Sequence, residues 1–326
     1  MAPKSLGILA DDPMAEAGRK AMRFHFERML AHEEGTRSGQ DIEELHDMRV
    51  AVRRMRSALQ LFGSCYKRKT VRRLRRGLSA IGRVLGAVRD LDILIARMEL
   101  YMAPLSDEEQ AALRPLVKAW RGQRLAARAI MIDYLDSDAY RCFVERLRAF
   151  VETPGMGAMA HDDEAISPVL VRHALAPQVW QRYAAVRAYD AVLPPADTGD
   201  GILSVPLPTL HALRIECKRL RYTLEFFQEV LPPEAADLIG VLVRAQDHLG
   251  DLHDAHVACE LVGDYVARRE RKARRKGKAI DLDGARAFLD SRKALQRDLL
   301  ESFPPLWAEL SGDPFRRRLA EVVAAV

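Results

Sequence analysis

The feature that most constrains the fold of this chain is a segment of eighteen residues that occurs twice. The segment LHDMRVAVRRMRSALQLF, starting at position 45, aligns without gaps with LHALRIECKRLRYTLEFF, starting at position 210, and the pairs His46/His211 and Arg49/Arg214 are identical. A second match follows, in which LGAVRDLDIL from position 85 shares Leu, Gly and Asp with LGDLHDAHVA from position 249. The offsets of 165 and 164 residues are too long for a solenoid repeat. The sequence therefore predicts two copies of one unit.

The spacing of apolar residues indicates that this unit is helical. No proline occurs between Pro13 and Pro104, and apolar residues recur there every three or four positions, as in amphipathic helices. Helices are predicted at 14–34, 41–64, 70–102, 107–152, 168–192, 207–230, 233–270 and 283–302. Gly35 and Gly63 are interpreted as helix ends, and Pro115 as a break or an amino-terminal turn. We predict an all-α fold of two pseudo-symmetric four-helix bundles that arose by internal duplication.

The boundaries of the halves follow from the Gly- and Pro-containing segments between helices. We expect an amino-terminal tail at 1–12, a first half at 13–152, a linker at 153–167, a second half at 168–320 and a carboxy-terminal tail at 321–326. The first residues contain too short an apolar stretch for a signal peptide, and no apolar run approaches the roughly 20 residues that span a bilayer. The four cysteines form no C-x-x-C pair. These observations predict a cytoplasmic protein without membrane contact.

The repeat retains a row of basic residues along one side of a helix. At about 100° per residue, the row lies directly beside the apolar face in both copies. Its members in the two copies are His46, Arg49, Arg53 and Arg56, and His211, Arg214, Lys218 and Arg221. Like charges at these spacings each destabilise a helix by a few tenths of a kcal/mol, so their retention twice predicts a function. Arg and His side chains arranged in a row suit a long polyanion with repeated phosphates.

Further basic residues lie near this row. The next helix begins with the run KRKTVRRLRR, and a second run, RRERKARRKGK, begins at position 268. The runs do not correspond between the copies, so a role as solvated helix ends remains open for them. The second group of candidate binding residues comprises Arg54, Arg219, Arg72, Arg76, Arg83 and Arg89, of which the first two point away from the row on a helical wheel.

The motif H-x-x-R-[VI]-x-x-[RK]-R-[LM]-R-x-x-L-x-x-F, present twice and each time followed by LGxxxD, resembles the CHAD family over roughly residues 13–320. That resemblance implies two pseudo-symmetric four-helix bundles whose histidines and basic residues line a central surface that binds inorganic polyphosphate. It assigns binding to the eight residues of the two rows and makes polyphosphate granules a possible location. Some members carry a triphosphate-hydrolase domain with an E-x-E-x-K signature, which we do not find in this sequence. We therefore expect a stand-alone binding protein without a cofactor rather than an enzyme.

Three other functions compete with polyphosphate binding: metal binding, phosphate processing and nucleic-acid binding. His253 and His256 are spaced like metal ligands, yet the first copy has Arg89 and Asp92 at the equivalent positions, so no metal site is predicted. An enzyme or an enzyme accessory that processes phosphate remains an alternative, although no P-loop or nucleophile motif is found. The chain has no Asn and 6% aromatic residues, which disfavours base readout but leaves weak, non-specific nucleic-acid binding open. Asp90, which both copies share, is expected to orient basic residues or to cap a helix.

Overall fold

The computed structural model describes residues 5–159, 168–193, 199–277 and 279–326, and in these ranges the fold is all-α, with no β-strand. The prediction of an all-α protein is confirmed. The helices of the first half are α1 (Met14–Ala31), α2 (Glu33–Ser38), α3 (Ile42–Leu61), α4 (Arg68–Met102), α5 (Asp107–Asp136) and α6 (Asp138–Glu152). Those of the second half are α7 (Val171–Arg187), α8 (Leu207–Phe226), α9 (Ala235–Lys276), α10 (Asp283–Glu301), α11 (Pro304–Ser311) and α12 (Asp313–Ala324).

Two helix ends differ from the sequence prediction for reasons of local chemistry. Gly35 lies inside α2, and the chain turns instead at Gly39, which has a left-handed φ of 67° and caps that helix. Pro115 lies within α5 without interrupting it, between the buried Leu113 and Leu116. The break in the predicted helix 107–152 falls at Ser137, whose hydroxyl accepts a hydrogen bond from the first turn of α6.

Both segments predicted as tails contain residues that are buried in the structure. Residues 321–326 were predicted to be a tail, but the last turn of α12 reaches into them, and Val322 and Val323 are buried. Near the amino terminus, Ile8 is buried and its backbone N–H donates to Glu229 of the second half. Residues 160–167 of the predicted linker lie outside the described residues.

The helices of the two halves pack in the same order around one main hydrophobic core. In the first half α1 packs on α3 and α3 on α4, and in the second half α7 packs on α8 and α8 on α9. The halves meet where α3 contacts α8, and the ring of Phe62 lies 5.8 Å from that of Phe227, its equivalent in the repeat. The structure thus places equivalent residues against each other, while the origin of the halves by duplication remains a prediction.

A second hydrophobic core joins the outer ends of the long helices from both halves. Met98 of α4 and Trp120 of α5 pack there with Val262 of α9 and Phe288 of α10. The α4–α5 hairpin is therefore held against the α9–α10 hairpin at a distance from the main core. In the part of the chain that the structure describes, no helix combines the length and the apolar character needed to cross a membrane.

Candidate anion-binding surface

Helices α3 and α8, which carry the two basic rows, contact each other where the halves meet. The apolar face of α3 is fully inside the main core, with Met48 and Met55 completely buried, and this fixes the rotation of the helix. The carboxylate of Asp41 caps α3 by accepting a hydrogen bond from Glu43 N, and Pro208 lies in the first turn of α8. The basic row beside each apolar face is consequently half-buried at most positions, and Arg56 is exposed. We call these residues the α3 row and the α8 row, as defined by the sequence.

The two helices are joined through an ion pair and an aromatic ring that lie beside the rows. Arg54 of α3 forms an ion pair with Glu225 of α8, and its guanidinium carbon lies 4.1 Å from the centre of the Tyr222 ring. The guanidinium carbon of Arg221 lies 5.1 Å from the same ring centre. The side chain of Arg54 therefore takes part in the contact between the helices. The guanidinium of Arg221 packs on the Tyr222 ring and keeps its position in the α8 row.

The cations of the two rows are close enough to perturb each other. Burial lowers the pKa of Lys218 to about 8, and the nearby Arg214, Arg53 and Arg56 lower it further. Burial also lowers the pKa of Arg53, where Arg221 is among the neighbouring cations that contribute to the shift. Because cations of each row contribute to the pKa shift in the other, the two rows lie near each other across the contact of α3 and α8.

The guanidinium groups of Arg49 and Arg214 each lie beside a glycine of the neighbouring helix. A Cβ atom added at Gly86 of α4 would lie 3.7 Å from Arg49 Nε, and one added at Gly250 of α9 would lie 3.7 Å from Arg214 Nε. Both glycines recur in the repeat, and this recurrence is the sequence feature that could have identified them as part of the site. The matching distances show that the same packing occurs twice.

Several buried N–H groups of this surface have no hydrogen-bond partner among the described residues. Most buried polar groups in proteins are paired, so these nitrogens are free to bind water or an added ligand. The atoms concerned are Arg53 Nε, Arg89 Nε, Arg214 Nε, Arg221 Nε and His211 Nδ1. Four of these five residues belong to the two rows, and Arg89 belongs to the second group of candidates.

Among the described residues, two carboxylates lie within 4 Å of the guanidinium groups of the rows. Asp90 lies 3.3 Å from Arg49 Nη2, and Glu225 lies 3.6 Å from Arg221 Nε. Burial and the nearby Asp254 raise the pKa of Asp90, while Arg49 lowers it. Asp90 can therefore orient Arg49, as the sequence suggested. Its equivalent in the second half, Asp254, instead forms an ion pair of 3.0 Å with Arg97, an interaction that spans α4 and α9.

The histidines at the outer end of each row are biased toward the neutral form. Burial lowers the pKa of His46, and Arg89 lowers it further. Burial and the charge of Arg214 lower the pKa of His211, whose ring centre lies 4.5 Å from that of His253. No group of three or more His, Cys, Asp or Glu side chains that could hold a metal ion occurs among the described residues.

The second group of candidate residues is more scattered. Arg89 lies close to His46 and forms an ion pair of 3.3 Å with Glu43. Arg219 forms an ion pair of 2.5 Å with Glu216, which leaves it outside the α8 row. Arg72, Arg76 and Arg83 are exposed along α4 and form no ion pair within the described ranges.

Comparisons with known proteins match this architecture. The family model of the CHAD domain matches residues 20–263. The crystal structure of the CHAD domain from the plant Ricinus communis superposes with a TM-score of 0.69 at 25% identity, covering 94% of this chain and 96% of that one. PptA from Streptomyces chartreusis superposes with a TM-score of 0.61 at 17% identity, covering 92% of this chain and 99% of that one, which shows the shared fold. A search of the curated proteins found no match.

Proposed function

Because this chain belongs to the CHAD domain family, we propose that it binds inorganic polyphosphate on the surface formed by α3 and α8. The proposed contacts are made by His46, Arg49, Arg53 and Arg56 of the α3 row and by His211, Arg214, Lys218 and Arg221 of the α8 row. Arg54 and Arg219 are proposed to support the surface through their ion pairs rather than to contact the ligand. In this proposal the protein is a binding module and not an enzyme.

The observation that carries the proposal is the crowding of cations at the contact of α3 and α8. A pKa of about 8 for Lys218 means that its positive charge is disfavoured in the free protein. Removing this charge or spreading the helices apart would relieve the repulsion, yet both rows keep the same residue types. A bound polyanion would neutralise the cations, because each phosphate oxygen accepts charge-assisted hydrogen bonds from Arg and Lys.

The shape of the surface favours a polymer over a single phosphate group. Residues of one row are spaced by three or four positions, which corresponds to about 5 Å along a helix. A ligand must therefore present negative charge repeatedly to contact a whole row. Inorganic polyphosphate does so without bases, and the surface offers it guanidinium and imidazole donors. The proposal includes a cytoplasmic location and association with polyphosphate granules where these occur.

The test is a titration with polyphosphates of defined length at several salt concentrations. If the six Arg and Lys residues of the rows each neutralise a phosphate, the log–log salt slope should be about −4, and it should approach about −6 when both histidines are charged. Affinity should rise from tripolyphosphate to chains of about eight phosphates, which can occupy both rows. Slopes near −1, or equal affinity for tripolyphosphate and longer chains, would refute the proposal.

A charge-matched pair of variants distinguishes binding at this surface from general electrostatic attraction between the polyanion and the protein. The double variant Arg49→Ala/Arg214→Ala should lose most of its affinity and keep its melting temperature within a few degrees. The control Arg271→Ala/Arg275→Ala removes the same charge from the exposed end of α9 and should bind like the unmodified protein. Single-stranded DNA of the same charge serves as a competitor. If it displaced polyphosphate at equal concentration, the surface would be a general site for phosphodiesters.

A further inference from the structure

A groove in the first half continues the basic surface beyond the α3 row. It has a volume of about 670 Å³ and lies where α3 ends and α4 begins. Gln60 and Gly63 line one side of it, and Arg68, Lys69 and Arg72 line the other, together with Arg75. No carboxylate belongs to its lining. Its cations form no ion pair within the described ranges, unlike Arg49 and Arg221 in the rows.

The groove is contiguous with the α3 row along both of its helices. On α3, Gln60 follows Arg56 by four residues and so lies on the same side of the helix, one turn further on. On α4, a Cβ atom at Gly82 would lie 3.5 Å from Arg56 Nη1, and Arg75 precedes Gly82 by seven residues, or two turns. Arg68 precedes Gly82 by fourteen residues, which corresponds to about 21 Å along the helix. A polymer that passes Arg56 thus meets further cations without crossing an acidic surface.

The second half lacks the basic residues that line this groove. With the offset of 164 residues given by the glycine motifs, the positions equivalent to the four basic lining residues are Pro232, Pro233, Ala236 and Ile239. All four are uncharged, so the repeat does not reproduce this basic lining. If the groove were only a solvated helix end, its cations would be expected to alternate with acidic residues, yet the run from Lys67 to Arg76 contains none.

We infer that this groove is an additional subsite for polyphosphate, which binds the part of a long chain that extends past the two rows on the side of the first half. The inference rests on the proposed function, because the groove binds a further part of the same polyphosphate chain. Chains that fill only the two rows gain nothing from the groove. Longer chains bind more tightly, and the part of the chain that extends past the rows lies on the first half.

The inference is tested first on the unmodified protein by acylation of lysine amines and mass spectrometry. Lys69 reports on the groove, Lys218 on the rows, and Lys118, exposed on α5, serves as a control. Chains of about eight phosphates should protect Lys218 alone, whereas chains several times longer should protect both Lys218 and Lys69. If long chains protect Lys218 and leave Lys69 reactive, the inference is wrong and the proposed function stands. If neither lysine is protected at any length, both are wrong.

Variants provide the second test. Replacing Arg68, Lys69, Arg72 and Arg75 by Gln should weaken binding of long chains at least tenfold and make their salt slope shallower by about 3, at 0.7 for each phosphate released. Binding of the short chains should stay unchanged. The matched control replaces Arg268, Arg271, Lys272 and Arg275 at the exposed end of α9 by Gln and should affect neither length. Equal losses in the groove variant and the control would overturn the inference.

Discussion

Lys218→Met should stabilise the free protein while weakening its binding of polyphosphate. The ammonium of Lys218 is half-buried among Arg214, Arg53 and Arg56, and its pKa falls from an ordinary value of 10.5 to about 8. A lysine whose pKa is lower in the folded than in the unfolded state opposes folding wherever it is charged. That penalty is complete below pH 8 and disappears as the pH rises toward 10.5. Methionine has a similar length and no charge, so the substitution removes the penalty.

The size of the effect follows from the change in pKa. At about 1.4 kcal/mol per pKa unit the full penalty amounts to about 3 kcal/mol, and partial contact of the ammonium with water reduces this to about 1–2 kcal/mol. For a chain of 326 residues the entropy of unfolding converts each kcal/mol into about 1.5 °C. We therefore expect the melting temperature of Lys218→Met to exceed that of the unmodified protein by about 2–3 °C at pH 7, and by less at pH 9.5.

Calorimetry with and without long polyphosphate provides the assay. Lys118→Met, at an exposed position on α5, is the control and should leave the melting temperature unchanged. Addition of polyphosphate should raise the melting temperature of the unmodified protein more than that of Lys218→Met, because the ligand gains from the charge that the free protein disfavours. A Lys218→Met variant that melts at a lower temperature at pH 7, or whose gain does not shrink at pH 9.5, would refute the reasoning.

Glu225→Gln breaks the ion pair with Arg54 and should lower the free energy of unfolding by about 1–3 kcal/mol, and a double-mutant cycle with Arg54→Met should show coupling rather than additive losses. Gly77→Ala places a Cβ atom about 2 Å from ring carbons of Phe143 and should cost about 1–3 kcal/mol, as measured by denaturant unfolding. Gly250→Ala places its Cβ in ordinary van der Waals contact, 3.7 Å from Arg214 Nε, and should gain up to about 1 kcal/mol in the same measurement. Polyphosphate should raise the lowered pKa values of the row histidines, so calorimetric titration at pH 6.5 in two buffers should detect proton uptake, and affinity should increase from pH 8 to pH 6. Binding without proton uptake would contradict this assignment of the histidines.

Periodicity alone was sufficient to predict how α3 and α8 are oriented. The apolar positions Leu45, Met48, Val52, Met55 and Leu59 are all buried, as the helical wheel required, and the basic row therefore lies beside the core. The resemblance to the CHAD family also implied a central surface lined by both rows. In the structure α3 contacts α8, and the rings of Phe62 and Phe227, which occupy the same position in the repeat, meet at that contact.

Interactions between helices distant in sequence were not predictable in this way. Nothing in the sequence near Arg54 indicates that Glu225 is its partner, since the two residues meet only when α3 packs on α8. The helices α11 and α12 were not predicted, since the last predicted helix ends at 302. In the structure Pro304 and Pro314 lie in the first turns of these two helices, where the missing N–H has no cost.

The second hydrophobic core, around Trp120 and Phe288, has a consequence for the kinetics of binding. It packs the outer ends of α4 and α9 together, while Phe62 and Phe227 pack where α3 contacts α8. The side chains proposed to meet the polymer are therefore carried by helices that are packed at both places before encounter, and the loss of conformational entropy on binding should fall mainly on the flexible polymer. Association should then proceed in a single phase at a rate limited by electrostatically steered diffusion, without a slower rearrangement of the protein.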